Sequence, residues 1–120
     1  MAEKVYRLTR VNELIKRELA NYLEKFPPNA PGMLVSVTEV VTSVDLRNAT
    51  VSISIFGGNA SARDEVFKYL GASRSDMQKV LARNLAFKHT PVLAFKPDRR
   101  LEMGDRVLAL LNDPAEKSDE

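Results

Sequence analysis

The sequence predicts one α+β domain: a three-stranded mixed sheet with helices packed on one face, in the order α-β-β-α-α-β. Three observations carry that reading. An apolar stripe with helical spacing runs up to the double proline Pro27-Pro28. Two β-branched runs with two-residue alternation follow, around a polar turn. A basic helical stretch then hands over to a short strand at Pro91.

The first helix is expected over residues 5–26. Leu8, Val11, Ile15, Leu19, Tyr22 and Phe26 recur every three or four residues and share one stripe. Arg7, Arg10, Asn12, Lys16 and Arg17 fall largely off it. Pro27 and Pro28 end the helix, because proline lacks the amide proton and clashes with the preceding turn. A strand is expected over residues 33–44, where Val35-Ser36-Val37-Thr38 alternates. The alternation slips at Glu39-Val40-Val41, which marks a bulge or bend. Asp45 to Asn48 is a polar turn and Val51 to Ile55 alternates cleanly, so the two runs pair as an antiparallel hairpin.

Gly57-Gly58-Asn59 stops the second strand, and Ser61-Ala62-Arg63-Asp64 starts a short helix with Val66, Phe67 and Leu70 inward. Gly71-Ala72-Ser73 interrupts it. Ser75-Asp76-Met77-Gln78 has capping-box spacing, so a further helix is expected from there to Lys88. Met77, Val80, Leu81 and Leu85 point inward; Lys79, Arg83 and Lys88 lie mostly on the other side. Pro91 closes that region and Val92 to Phe95 form the third strand. Residues 104–111 are read as a final helical turn, and residues 113–120 as an acidic, disordered tail on a domain of residues 1–112.

Composition narrows the function. The chain has no cysteine, which removes disulfides and thiolate metal sites and fits a reducing compartment. Its first ten residues carry charges throughout and show no apolar signal segment, and no apolar run approaches the length of a membrane span. A soluble cytoplasmic monomer is expected. The net charge of +2 is unevenly spread. Residues 63–100 hold nine Lys/Arg against four Asp/Glu, whereas residues 101–120 hold two against six. An acidic tail on a basic body masks a positive patch.

Catalytic chemistry finds little support. The single histidine, His89, sits between Lys88 and Thr90 near a helix end, and no nucleophile–base pair can be assembled around it. Gly57-Gly58 lacks the lysine of a phosphate-binding loop. Asp45, Asp98, Glu102 and Asp105 carry carboxylates of the kind that hold magnesium, but their positions read as a turn, a strand end and a helix start. No enzyme activity, cofactor or metal is expected. Binding fits better. Arg63, Lys68, Arg74, Lys79, Arg83 and Lys88 line the second-half helices, with Lys96, Arg99 and Arg100 beyond. Arg74 falls in the expected helix break, where free amides favour a phosphate. The competing explanation is a solvated helix face. Tyr6, Tyr22, Phe67 and Phe87 fit core stripes, so reading of RNA by shape and backbone is expected, without base stacking.

These residues resemble the ribosome-binding factor A family. Arg10-Val11, Leu14-Ile15 and Leu19 look like its first helix; Thr38, Val40, Ser43, Asp45-Leu46, Ala49 and Val51 like its hairpin; Pro91, Leu93, Phe95, Asp98, Glu102, Gly104, Arg106-Val107 and Leu110-Leu111 like its C-terminal signature. The likeness implies a type II KH-like fold without the Gly-x-x-Gly loop, and a kinked helix pair whose Ala-x-Gly position falls at Ser73-Arg74-Ser75. It further implies a non-enzymatic factor that binds free or immature 30S subunits through 16S rRNA, alongside other assembly factors, and assists late maturation, including 5′-end processing, most of all in the cold. Arg7, Arg10, Lys16, Arg17, Arg74, Lys79, Arg83, Lys88, Arg99 and Arg100 are the expected RNA contacts. Two alternatives stand beside this: an adaptor that pairs its exposed sheet edge with a partner strand, without touching RNA, and a small nuclease.

Overall fold

The computed structural model describes residues 2–98. The expected final turn, the acidic tail, Arg99 and Arg100 lie outside the described residues. The elements are α1 (Ala2–Lys25), β1 (Leu34–Thr42), β2 (Asn48–Phe56), α2 (Ala60–Asn84) and β3 (Val92–Pro97). The sheet runs β1-β2-β3, with β1 antiparallel and β3 parallel to the central strand. This is the expected α+β architecture with a mixed sheet.

Ile15, Leu19, Tyr22 and Leu23 of α1 and Val66, Leu70, Met77 and Leu81 of α2 pack on Val40, Ala49, Val51, Ile53 and Leu93 of the sheet. Both helices therefore cover one face. The slip in β1 is a bulge between Val37 and Glu39, slightly earlier than expected. It restores the alternation: without the extra residue Thr38, Val40 and Thr42 would turn away from the core.

The expected break in the second helical region does not form. α2 is continuous through Ser73, Arg74 and Ser75. The capping signal at Ser75 is a local preference, and tertiary packing overrides it. Val66, Leu70, Ser73, Met77 and Leu81 keep one unbroken buried stripe across the segment, and a break would throw its two halves out of phase. Gly71 costs only about 1 kcal/mol relative to alanine in a helix. Ser73 is buried in that stripe and stands beside the Tyr22 phenol of α1, whose pKa burial raises and Ser73 lowers. The true N-cap is Asn59, whose Oδ1 accepts from the amide of Ala62 at 2.8 Å. At the other end α2 stops at Asn84, not Lys88. From there an extended segment carries Leu85 and Phe87 down to pack against the core.

Five hydrogen bonds fix how the elements meet. Asn12 Oδ1 accepts from the Thr42 amide (3.0 Å) and hydroxyl (2.7 Å), anchoring α1 to the end of β1. The Val92 amide donates to the Arg47 carbonyl at 2.9 Å, joining the hairpin turn to the start of β3. Asn84 Nδ2 donates to Glu18 Oε1 at 2.7 Å, while Tyr69 reaches the carbonyl of Phe26. The last two contacts run in opposite senses along the chain, so α1 and α2 are antiparallel.

Candidate nucleic-acid interface

Antiparallel packing decides which cations gather. Glu18 is level with Asn84, so Arg17 is level with the last turns of α2, where Lys79 and Arg83 stand. Arg10, two turns earlier on α1, is level with the α2–β3 connection that holds Lys88. All five side chains are exposed. On α1, Arg10 and Arg17 are seven residues apart and share the solvent side, opposite the buried Ile15 and Leu19. On α2, Lys79 and Arg83 are one turn apart and likewise face outward. The outer surface of the helical layer is thus basic over the half nearest the hairpin turn.

The other sequence candidates distribute differently. Arg7 is exposed at the start of α1, in the same half. Lys16 is half-buried, one turn after Asn12, which anchors α1 to β1. Arg74 is exposed but turned toward the sheet. It lies about 140° around the helix from Lys79 at 3.6 residues per turn, and its guanidinium carbon sits 5.9 Å from the centroid of Phe95. Ser73 and Ser75 are mid-helix, so no free amides are offered to a phosphate beside Arg74. Lys68 pairs with Glu65 at 3.6 Å, and Arg63 Nε donates to the Gly57 carbonyl at 3.2 Å.

Two contributors at the basic end escaped the sequence reading. Arg47 is an isolated cation in a neutral stretch, and only the Arg47–Val92 bond brings it beside the α2–β3 connection. It stands on a tight turn. Asp45 Oδ1 accepts from the Ser43 hydroxyl at 2.6 Å and from the Arg47 amide at 3.1 Å, and Leu46 takes a left-handed φ of 61°. The Ser43 hydroxyl, then the Arg47 amide, hold the Asp45 carboxyl below its ordinary value. The second contributor is Tyr6. Expected in the core stripe, it is 69 % exposed. Tyr6 lies two residues before Leu8, more than half a helical turn away from the buried side.

Among the described residues, no group of three or more His, Cys, Asp or Glu is placed to hold a metal ion. Asp45 and Asp98 stand at opposite ends of the sheet. No described helix is long and apolar enough to cross a membrane.

Residues 7–111 match the profile of the family described as ribosome-binding factor A. The chain belongs to the ribosome-binding factor A family. It is 41 % identical over 109 residues to ribosome-binding factor A of a Cyanothece species, covering 88 % of this chain and 80 % of that one. The Rippkaea orientalis ribosome-binding factor A is 38 % identical over 108 residues, covering 88 % and 84 %. Among solved structures, a Thermotoga maritima protein assigned to ribosome-binding factor A superposes with a TM-score of 0.67 at 26 % identity, over 81 % of this chain and 92 % of that one. A homology model of the Thermus thermophilus ribosome binding factor A, fitted into the cryo-EM map of its 30S complex, gives 0.59 at 24 % identity, over 72 % and 90 %. The α-β-β-α-β order and mixed sheet described above are thus the family's fold.

Proposed function

We propose that this protein is a non-enzymatic assembly factor that binds free or immature 30S subunits through 16S rRNA and assists their late maturation, including processing of the RNA's 5′ end, with its greatest importance in the cold. The observation that carries this is the family match over residues 7–111; the Thermus relative's fit into a 30S complex supports the choice of partner. Arg7, Arg10, Arg17, Arg47, Lys79, Arg83 and Lys88 clamp phosphates along the basic half of the helical layer, with Arg99 and Arg100 as further contacts. Lys16 takes part at its margin, whereas Arg74, turned toward Phe95, adds little to binding. Binding is electrostatic and follows the contour of folded RNA, so no bond is made or broken. RNA helices trapped in wrong pairings escape slowly at low temperature. A protein that binds one conformer shifts the population toward it. The factor acts as a monomer in the cytoplasm, alongside other assembly factors.

The adaptor reading is less well supported by the sheet edges. β3 is bounded by Pro91 and Pro97, and β1 is interrupted by its bulge. Both features blunt an edge against strand addition. The deciding experiment is co-sedimentation of the full chain with small subunits and with complete ribosomes across a salt series. The protein is expected on free small subunits, with affinity falling steeply as salt rises. Lys79→Glu with Arg83→Glu is expected to weaken binding and flatten that dependence by about two phosphate contacts. Recovery only among free proteins at the top of the gradient would refute the proposal.

A further inference from the structure

The basic half carries an aromatic side chain whose position fits a different task from charge neutralisation. Tyr6 is 69 % exposed on α1. It precedes Arg10 by one turn and Arg17 by three, so the three side chains form one line on the solvent side of the helix, with the exposed Glu13 on the same line between the two arginines. Tyr6 and Arg10 are about 6 Å apart along the axis, a separation that one nucleotide spans. Asn12 is anchored to the last residue of β1, so Tyr6 lies about 9 Å further along the helix, beyond the end of that strand. The ring is therefore presented past the edge of the sheet. A tyrosine ring has only two side-chain torsions to order on binding.

Resting on the RNA-binding reading above, we infer that Tyr6 is a stacking platform for one unpaired base, at a point where a single-stranded segment of the RNA leaves the duplex held by Arg10 and Arg17. The base must be unpaired because bases inside an A-form helix bury their faces against their neighbours and offer no plane to a side chain. Arg10 and Arg17, both on the C-terminal side of the ring, hold the phosphates of the duplex, and the ring covers the exposed base. The ligand is thus a junction between single-stranded and double-stranded RNA, a narrower class than folded RNA in general. Charge complementarity argues for RNA over a protein partner: beside the ring the helix face is net positive, with Arg7, Arg10 and Arg17 exposed against Glu13.

The test uses the full chain, purified small ribosomal subunits and a deproteinised 16S rRNA transcript, each titrated over a salt series with wild type, Tyr6→Phe, Tyr6→Ala and Arg10→Ala. Tyr6→Ala is expected to weaken binding to both ligands about 10-fold, with an unchanged salt slope, because no phosphate contact is lost. Tyr6→Phe keeps the aromatic face and is expected to stay within about two-fold of wild type. Arg10→Ala is expected to lower the salt slope by about one contact. Tyr6→Ala within two-fold of wild type overturns the stacking role while a steep slope leaves the RNA-binding reading standing. Equal losses for Tyr6→Phe and Tyr6→Ala overturn it in favour of a hydroxyl contact. A loss on subunits but not on the transcript overturns it in favour of a ribosomal protein. A wild-type salt slope near zero sinks the parent reading instead. Tyr6 is exposed, and an unchanged thermal midpoint for each variant separates binding from folding.

Discussion

Thr38 Oγ1 donates to Asp98 Oδ2 at 2.6 Å, joining residues sixty positions apart across the whole width of the sheet. Thr38 is the extra residue of the β1 bulge, released from the ladder between Val37↔Ile53 and Glu39↔Ser52. Asp98 follows β3 directly, and its amide donates to the Ile53 carbonyl at 2.8 Å. The two edge strands are thus tied to each other over the central one. The carboxylate is only 8 % exposed, so the bond offsets part of its desolvation.

Thr38→Val should therefore cost about 1–3 kcal/mol, the penalty for leaving a buried acceptor short of a donor. Thr38→Ser keeps the hydroxyl and should recover most of it. Urea unfolding of both variants checks this. A loss below about 0.5 kcal/mol for the valine variant, the size expected of a neutral surface change, would mean that the bond does not hold the sheet's edges together.

Two glycines should respond in opposite directions. Gly71 is mid-helix and exposed, and a Cβ there would meet nothing within 4 Å. Gly71→Ala should stabilise by about 0.5–1 kcal/mol through reduced unfolded-state freedom. Gly58 has a left-handed φ of 75°, and a Cβ there would lie 2.7 Å from the Met33 thioether. The Met33 side chain can shift, but the backbone strain stays, so Gly58→Ala should destabilise by about 1 kcal/mol or more. Thermal midpoints moving in opposite directions would bear out the pair.

The contrast at Gly71 also shows where sequence reading stops. The stripe from Leu8 to Tyr22, the hairpin and the strand after Pro91 were legible because each is a local pattern with one period. The continuity of α2 was not. Gly71 and the Ser75 box signal a stop within a few residues, whereas the reason to continue is spread over Val66 to Leu81 and over Tyr22 on another helix. Of the site, the α1 and α2 cations were legible as off-stripe positions. Their gathering at one end was not, since it follows from the Glu18–Asn84 level and antiparallel packing. Arg47 was invisible because its neighbours come from β3. Tyr6 reads as core by its aromatic character, yet its phase relative to Leu8 puts it on the solvent side.

Burial of the Tyr22 phenol sets a pH dependence. Burial, the largest influence, raises the Tyr22 phenol above its ordinary value of 10.0, and the Ser73 hydroxyl only partly opposes it. The folded state thus binds this proton more tightly than the unfolded state. Its stabilising contribution is complete below pH 10 and is lost as pH rises through the higher folded value. Tyr22→Phe should cost about 1 kcal/mol near pH 7, where Ser73 loses its partner. The gap between the two proteins should then narrow above pH 10, because only wild type must ionise a buried phenol. Denaturation at pH 7 and pH 11 checks both halves. A gap that stays constant would show that the phenol ionises as freely folded as unfolded.

Arg47 and Arg74 separate the interface from the scaffold. Both are exposed arginines, but Arg47 stands on the hairpin turn beside the α2–β3 connection, whereas Arg74 lies over Phe95 on the sheet side of α2. If binding uses the basic half of the helical layer, Arg47→Ala should lower the salt slope of small-subunit binding by about one contact and leave stability within about 0.5 kcal/mol of wild type. Arg74→Ala should do the reverse: a slope changed by less than half a contact, and a stability loss of about 0.5–1 kcal/mol from the cation–π contact. The comparison is informative because the two changes remove the same charge from the same small domain. Non-specific attraction to net charge would flatten both slopes equally, and that result would displace the interface from the face assigned to it.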